Sequence, residues 1–342
     1  MNPIHHPTHI ICLSLMVAGL SRPAPEPIPV TPEPVLVQET TDDLGPERME
    51  RLIEELATAI EERYIFEDIG KEIGALLRQQ LWDGAYEGIS IGRLADLLTK
   101  DLRSVNNDLH LGVRRVVPRE ERAAPIDPAE ARRQRIDSFR RRNFGFHKLE
   151  ILDGNVGYLD LRAFAPAELA GDTAIAAMGF LANADAIIID LRQNGGGSPS
   201  MIQLLSSYFF EEVTHLNSFE LRGQELIKQF WTLPHVPGKK VIDTPLYILT
   251  SGRTFSAAEE FTYNMKNLGR ATIIGETTGG GAHPGGTHEI DGLLSVFIPD
   301  GRAINPITET NWEGTGIAPH VDVPQREALE RAQDLIRESI GE

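Results

Sequence analysis

Past residue 45 the apolar positions follow two grammars in succession. Met49, Leu52, Ile53, Leu56, Ile60 and Tyr64 recur at helical spacing behind Pro46, a residue suited to the first turn of a helix. Ile69, Ile73, Leu76, Leu77 and Leu81 make a second stripe. Ile91, Leu94, Leu97, Leu98 and Leu102, behind Ser90, make a third. These predict three amphipathic helices joined by short loops, with no catalytic grouping on their faces. From about residue 106 the pattern breaks into short apolar runs: Leu111–Val117, Val156–Leu161, Ala186–Ile189, Leu246–Leu249, Thr272–Ile274 and Leu294–Ile298. Each is bounded by turn-forming residues, as strands of a buried sheet are. Helical patterns at Ser200–Phe210 and Ala257–Asn267 separate several of them, so the expected fold class is α/β. A charged amphipathic helix over 325–338 closes the chain.

The N-terminus reads differently. Ile10–Leu20 is an apolar run of signal-peptide length, too short to span a bilayer comfortably, and Ala18, Gly19 and Ser21 suit a cleavage site. The leader before it has no Lys or Arg. The expectation is a signal peptide over 1–21 and an exported, periplasmic or extracellular protein. Membrane association through an uncleaved segment stays open. Proline-rich residues 22–44 predict an extended linker, followed by a helical N-terminal domain (45–105) and a catalytic domain (106–342). Cys12, the single cysteine, falls in the signal segment, so a mature chain would have neither a disulfide framework nor a thiol nucleophile. A net charge of -17 argues against a nucleic-acid partner. The arginines between 114 and 142 read as a solvated face interleaved with Glu120, Glu121 and Asp137, with a site for an anionic group as the alternative.

Four segments place polar or glycine residues at strand ends. In TSGRTFSAAEEF (250–261) a strand ends, the chain turns, and a helix begins near Ser256. The serine is either a simple cap or a nucleophile at the positive helix end, with the Ala257 amide next to it as an oxyanion donor. Ser251 is the competing nucleophile, before the turn. In IIIDLRQNGGG (187–197) three glycines follow an apolar strand. With no Gly-Lys-Ser/Thr ending and no GxGxxG, oxyanion donation from Gly195 or Gly196 fits better than phosphate cradling, and no cofactor is implied. His110, in NNDLHLGV (106–113), supplies a group able to act as a base near neutrality. Glu313, in NWEGTGIAP (311–319), could accept the second ring N–H of such a base. A metal site at His283 or His288-Glu289 is disfavoured, because the spacing matches none of the usual zinc patterns.

Together these blocks resemble the C-terminal-processing (tail-specific) serine peptidase family, with its Clp protease/crotonase-like fold. The strongest parts are IIIDLRQNGGG, LTSGRTFSAAEEF, NLGRATIIGETTGGGAHP (267–284) and EGTGIAPHVDVP (313–324). The helical N-terminus, DLHLGV and NFGFHKLEILDGNVGYLDL (143–161) look like the branch containing interphotoreceptor retinoid-binding protein modules. The resemblance implies Ser256 as nucleophile. Gly281 stands where the best-known bacterial branch has the lysine of a Ser–Lys dyad, so that dyad is ruled out. The tricorn-like branch implies His110 as base and Glu313 as its orienting acid, though Leu109 stands where that branch has a serine. Substrates implied are peptides or unfolded protein tails. Two rivals remain: a non-catalytic binding module for retinoid-like or fatty-acid-like ligands, and an acyl-CoA enzyme of the crotonase type.

Overall fold

The computed structural model describes residues 44–117 and 127–340. The expected signal segment, Cys12 and all of the linker before Leu44 lie outside them, as does part of the arginine-bearing stretch. The three apolar stripes fold as α1 (Pro46–Arg63), α2 (Glu67–Trp82) and α3 (Ile91–Asn106). Their inward faces include Leu52, Ile53, Leu56, Ile73, Leu77, Leu94 and Leu98, all essentially inaccessible to solvent. Asn107, in the left-handed conformation at φ 56°, terminates α3 and turns the chain toward β1 (Gly112–Arg115). Beyond it come α4 (Pro128–Arg140), β2 (Phe146–Leu152), β3 (Val156–Leu161), α5 (Ala167–Leu181), β4 (Ala186–Asp190) and α6 (Pro199–Ser206). The chain continues through β5 (His215–Leu221), β6 (Lys228–Trp231), β7 (Leu246–Thr250), α7 (Ala257–Asn267) and β8 (Ala271–Gly275). It finishes with β9 (Gly285–Ile290), β10 (Leu294–Pro299), β11 (Gly301–Ile304), β12 (Val321–Asp322) and α8 (Ala328–Ile340).

A six-stranded sheet in the order β12-β8-β7-β4-β3-β2 forms the centre, parallel throughout except for β2, which pairs antiparallel with β3. Because side chains alternate across a strand, each buried strand feeds two cores. Leu159, Leu161, Ile187, Ile189, Ile248 and Ile273 pack under α5, α6 and α7. Tyr158, Ile188, Tyr247, Leu249 and Ile274 pack against Ala328, Ala332 and Ile336 of α8 on the other face. Two small antiparallel sheets complete the frame, β1-β10-β9 and β11-β5-β6. The first shares its core with the three helices: Val113, Ile290, Leu294 and Val296 pack among Leu52, Leu98 and Leu102. This shared core fixes the start of β1, and with it His110, against the rest of the molecule.

Candidate active site

Two adjacent parallel strands deliver the turn residues. β4 runs out into Asn194–Gly197, and β7 into the turn that ends at Ser256, immediately before α7. The carboxyl ends of parallel strands are where α/β sheets build their sites. Ser256 has φ 55° and ψ -121°, a backbone region that residues with a side chain avoid. Three contacts hold it there. Phe255 N–H donates to Asn194 O at 3.1 Å. Ser256 N–H donates to Glu259 Oε2 at 2.9 Å. Gly196 comes so close that a Cβ on it would lie 2.9 Å from Ser256 Cβ and 3.0 Å from Ala257 N. Glu259, fully buried, also accepts from Thr278 Oγ1 (2.5 Å), Gly280 N–H (2.7 Å) and Gly281 N–H (2.9 Å). One carboxyl group therefore ties the serine turn to the loop at 278–281. Ser251 is no rival: it is buried, and its hydroxyl donates to Arg192 O at 2.8 Å.

Of the expected oxyanion donors, Gly196 N–H already donates to Asn194 Oδ1 at 2.8 Å. The N–H groups of Gly195 and Ala257 have no acceptor among the described residues. Ala257 lies next to Ser256 on the wall of a pocket of about 320 Å³, and Gly197 shares that wall.

His110 lines the same pocket. Its backbone is pinned from both sides: Asp108 Oδ1 accepts its N–H at 2.9 Å, and Arg103 donates to Leu109 O (2.8 Å) and Leu111 O (2.7 Å). The imidazole is held by aromatic rings, with Phe255 at 4.7 Å between centroids and Phe297 stacked at 5.7 Å. Nδ1 is buried without a hydrogen-bond partner. Burial pushes the His110 pKa down to about 4, with Asp108 opposing the shift and His283 and Arg103 adding to it. Gly281 explains how the ring fits. A Cβ at that position would lie 2.3 Å from Phe255 Cζ and 2.6 Å from His110 Cε1. The space that a side chain at 281 would need is filled by the histidine and its aromatic neighbour.

Glu313 goes elsewhere. Its Oε2 accepts Ala282 N–H at 2.5 Å and lies 3.5 Å from His283 Nδ1, while Oε1 is buried without a partner. The hydrogen bond expected between Glu313 and the His110 ring is not made. Burial, reinforced by the nearby Asp108 charge, pushes the Glu313 carboxyl up to about 7. His283 Nδ1 is 2.8 Å from Asp108 Oδ2, and that oxygen also accepts from Tyr64 OH (2.8 Å), which in turn accepts from Asn106 Nδ2 (2.6 Å). Asp108, His283 and Glu313 each place a potential metal-ligand atom within 4.8 Å of the others. The same atoms are already engaged by Tyr64, Ala282 and one another, which accounts for the cluster as a hydrogen-bonded network joining α1, the turn after α3 and the 281–283 loop. Sequence reasoning missed this network. Its traces were an acid two residues before His110 and a histidine in a glycine loop, separated by 175 positions (283 minus 108).

A serine at a constrained strand–helix turn, with a histidine on the wall of the same pocket, is the apparatus of the serine peptidases. Residues 155–323 match the model of Peptidase family S41, and residues 46–139 match the N-terminal domain of Peptidase_S41 in eukaryotic IRBP. The chain belongs to peptidase family S41, and its substrates are accordingly proteins or peptides. Solved structures share the fold at low identity. One from Parabacteroides merdae ATCC 43184, described provisionally as a peptidase, is 19% identical with TM-score 0.58, covering 84% of this chain and 96% of that one. A lipoprotein from Streptococcus agalactiae is 17% identical with TM-score 0.51, covering 86% of this chain and 96% of its own. The tricorn protease is 12% identical with TM-score 0.55, and the match takes in 86% of this chain and 37% of that longer one.

Proposed function

We propose that the protein hydrolyses peptide bonds through an acyl-enzyme on Ser256, with His110 as its general base. The observation that carries this is the exchange of space at position 281: the glycine leaves room for the His110 ring beside the nucleophile turn. Ser256 Oγ attacks the scissile carbonyl as its proton passes to His110. The tetrahedral oxyanion forms beside the Ala257 amide and one of the amides of Gly195–Gly197. His110 then protonates the leaving amine, and water repeats the sequence to release the acid. The negative charge of Asp108 favours the imidazolium as it forms. Glu313 acts at one remove, by holding His283 and the 282 amide, and so supports the loop that carries Gly281.

The substrates proposed are extended peptides and unfolded protein tails, with a preference for C-termini suggested by the family resemblance. Export through the Ile10–Leu20 segment is part of the same reading. The test is digestion of a reduced, unfolded protein by the wild type and by Ser256→Ala. Cleavage lost in the variant supports the reading, and equal cleavage by both proteins rejects it.

A further inference from the structure

One turn beyond Ser256 on α7, Glu260 also lines the catalytic pocket. Its residue exposure is only 4%, and no Lys, Arg or His among the described residues forms an ion pair with it. A polar neighbour is Asn217 on β5, wholly buried: its side chain faces the Glu260 carboxyl and favours its ionised form without reaching full hydrogen-bond geometry, and its amide oxygen has no donor. Asn264, the next turn along α7, is equally buried and leaves its Nδ2 unpartnered. Burial without a cation pushes the Glu260 carboxyl up to about 7. Buried polar atoms are normally satisfied, and each exception calls for a cause. Here the exceptions gather behind one wall of the pocket that holds the nucleophile. The other walls are apolar and aromatic, from Phe219, Phe297, Trp312 and Pro199.

We infer that Glu260, backed by Asn217, forms the subsite for the substrate side chain next to the scissile bond, and that this subsite takes lysine or arginine. The inference rests on the peptidase reading and names the substrate class of that site. The chemistry matches group by group. A lysine ammonium offers three donors and no acceptor, against a carboxylate with no cation and an amide oxygen with no donor. Its methylene stem suits the aromatic walls. An apolar side chain of the same length would bury Glu260 without a cation and the Asn217 oxygen without a donor, which costs free energy the cationic side chain does not incur.

The test uses Ser256→Ala, which cannot turn substrate over, titrated in a calorimeter with acetyl-Ala-Ala-Lys amide and with the uncharged analogue acetyl-Ala-Ala-norleucine amide. The lysine peptide should bind about 10- to 100-fold tighter, the range of a charge-assisted hydrogen bond. In Ser256→Ala/Glu260→Gln that preference should shrink to less than about threefold, with far-ultraviolet circular dichroism confirming the fold. Equal binding of the two peptides, binding of neither, or a preference that survives Glu260→Gln would overturn the inference. The first comparison needs no change at Glu260, so it stands even where the double variant unfolds. Fluorophosphonate labelling of wild-type Ser256, run alongside, keeps the two readings apart. Labelling without lysine preference removes the subsite alone, and lysine preference without labelling removes the hydrolase and leaves the subsite.

Discussion

Two histidines lie close to the 281–283 loop in opposite circumstances. His283 is buried, sits 2.8 Å from the Asp108 carboxylate, and has Glu313 at 3.5 Å. His110 touches no carboxylate through its ring, leaves Nδ1 unpartnered, and is positioned by the rings of Phe255 and Phe297. A ring nitrogen tied to a buried carboxylate makes a group a strut, because moving its proton must break that tie. A ring held by packing alone keeps its lone pair for chemistry. On this difference rests the proposal that His110 is the base and His283 a structural residue, although His283 has the carboxylate partners that a sequence-based search would seek.

Substitutions can break the comparison. Ser256→Ala and His110→Ala should each lower turnover on the order of 10⁶-fold, measured with a fluorogenic peptide at neutral pH. His283→Ala should act on stability instead. Removing one partner of a buried pair costs about 3–5 kcal/mol, to be read from denaturant unfolding, while the rate per folded molecule falls far less than for His110→Ala. Loss of activity equal to His110→Ala in a fully folded His283→Ala protein would reverse the assignment.

Gly281→Ala tests the packing of the ring. Its Cβ would meet His110 and Phe255 at less than 3 Å, and neither can retreat without moving the base or the nucleophile turn. A displacement of that kind costs about 10²-fold in kcat, with a smaller change in KM. An unchanged kcat would mean the ring is not where the chemistry needs it.

Acidity sharpens the contrast further. A histidine with its ordinary pKa would lose half its activity near pH ~6.5. Burial has lowered His110 to about 4, so the neutral, basic form persists and activity should hold from pH 8 to about 5, then fall with a midpoint near 4. The linked stability effect has the same cause: the unfolded chain takes up the proton first, so stability contributed by neutral His110 is lost as pH falls from about 6.5 toward 4. The smallest effect is expected from Glu313→Gln. Its carboxyl is raised to about 7, so the unfolded form ionises first and stability declines as pH rises from about 4.5 to about 7. Glutamine removes that decline, and should raise stability above pH 7 by roughly 1–3 kcal/mol while changing turnover by less than about tenfold. Thermal melts at pH 5 and pH 8 distinguish this from a catalytic role.

Much of the frame was legible in the sequence. The three helical stripes and the six strands predicted from apolar runs all occur, because each is a local pattern, a stripe of period 3.6 or a short apolar run between turn residues. α5 escaped notice because its buried face is mostly alanine, with Ala170, Ala174 and Ala177, and alanine makes a weak stripe. The small-sheet strands β5, β6, β9 and β11 escaped because they mix polar and apolar residues; even β5, in the middle of its sheet, buries Asn217 and Ser218 beside Leu216 and Phe219. In the site, a turn and a helix start announced Ser256, and the glycine run announced the strand end behind it. The partners of the histidines were not legible. Whether Glu313 meets His110 or His283 depends on a few ångströms of loop path, and no periodicity encodes that. Glu260 was hidden for a different reason: beside Glu259 it looks like one of two acids in the first turn of a helix, and only burial against Asn217 sets it apart.

The most direct measurement is the second-order rate of fluorophosphonate modification of Ser256 at pH 7 in three folded proteins: wild type, His110→Ala and His283→Ala. The account predicts rapid labelling in the wild type, labelling lowered by several orders of magnitude in His110→Ala, and labelling within about tenfold of wild type in His283→Ala. Near-normal labelling of His110→Ala, with its loss in His283→Ala, would contradict it.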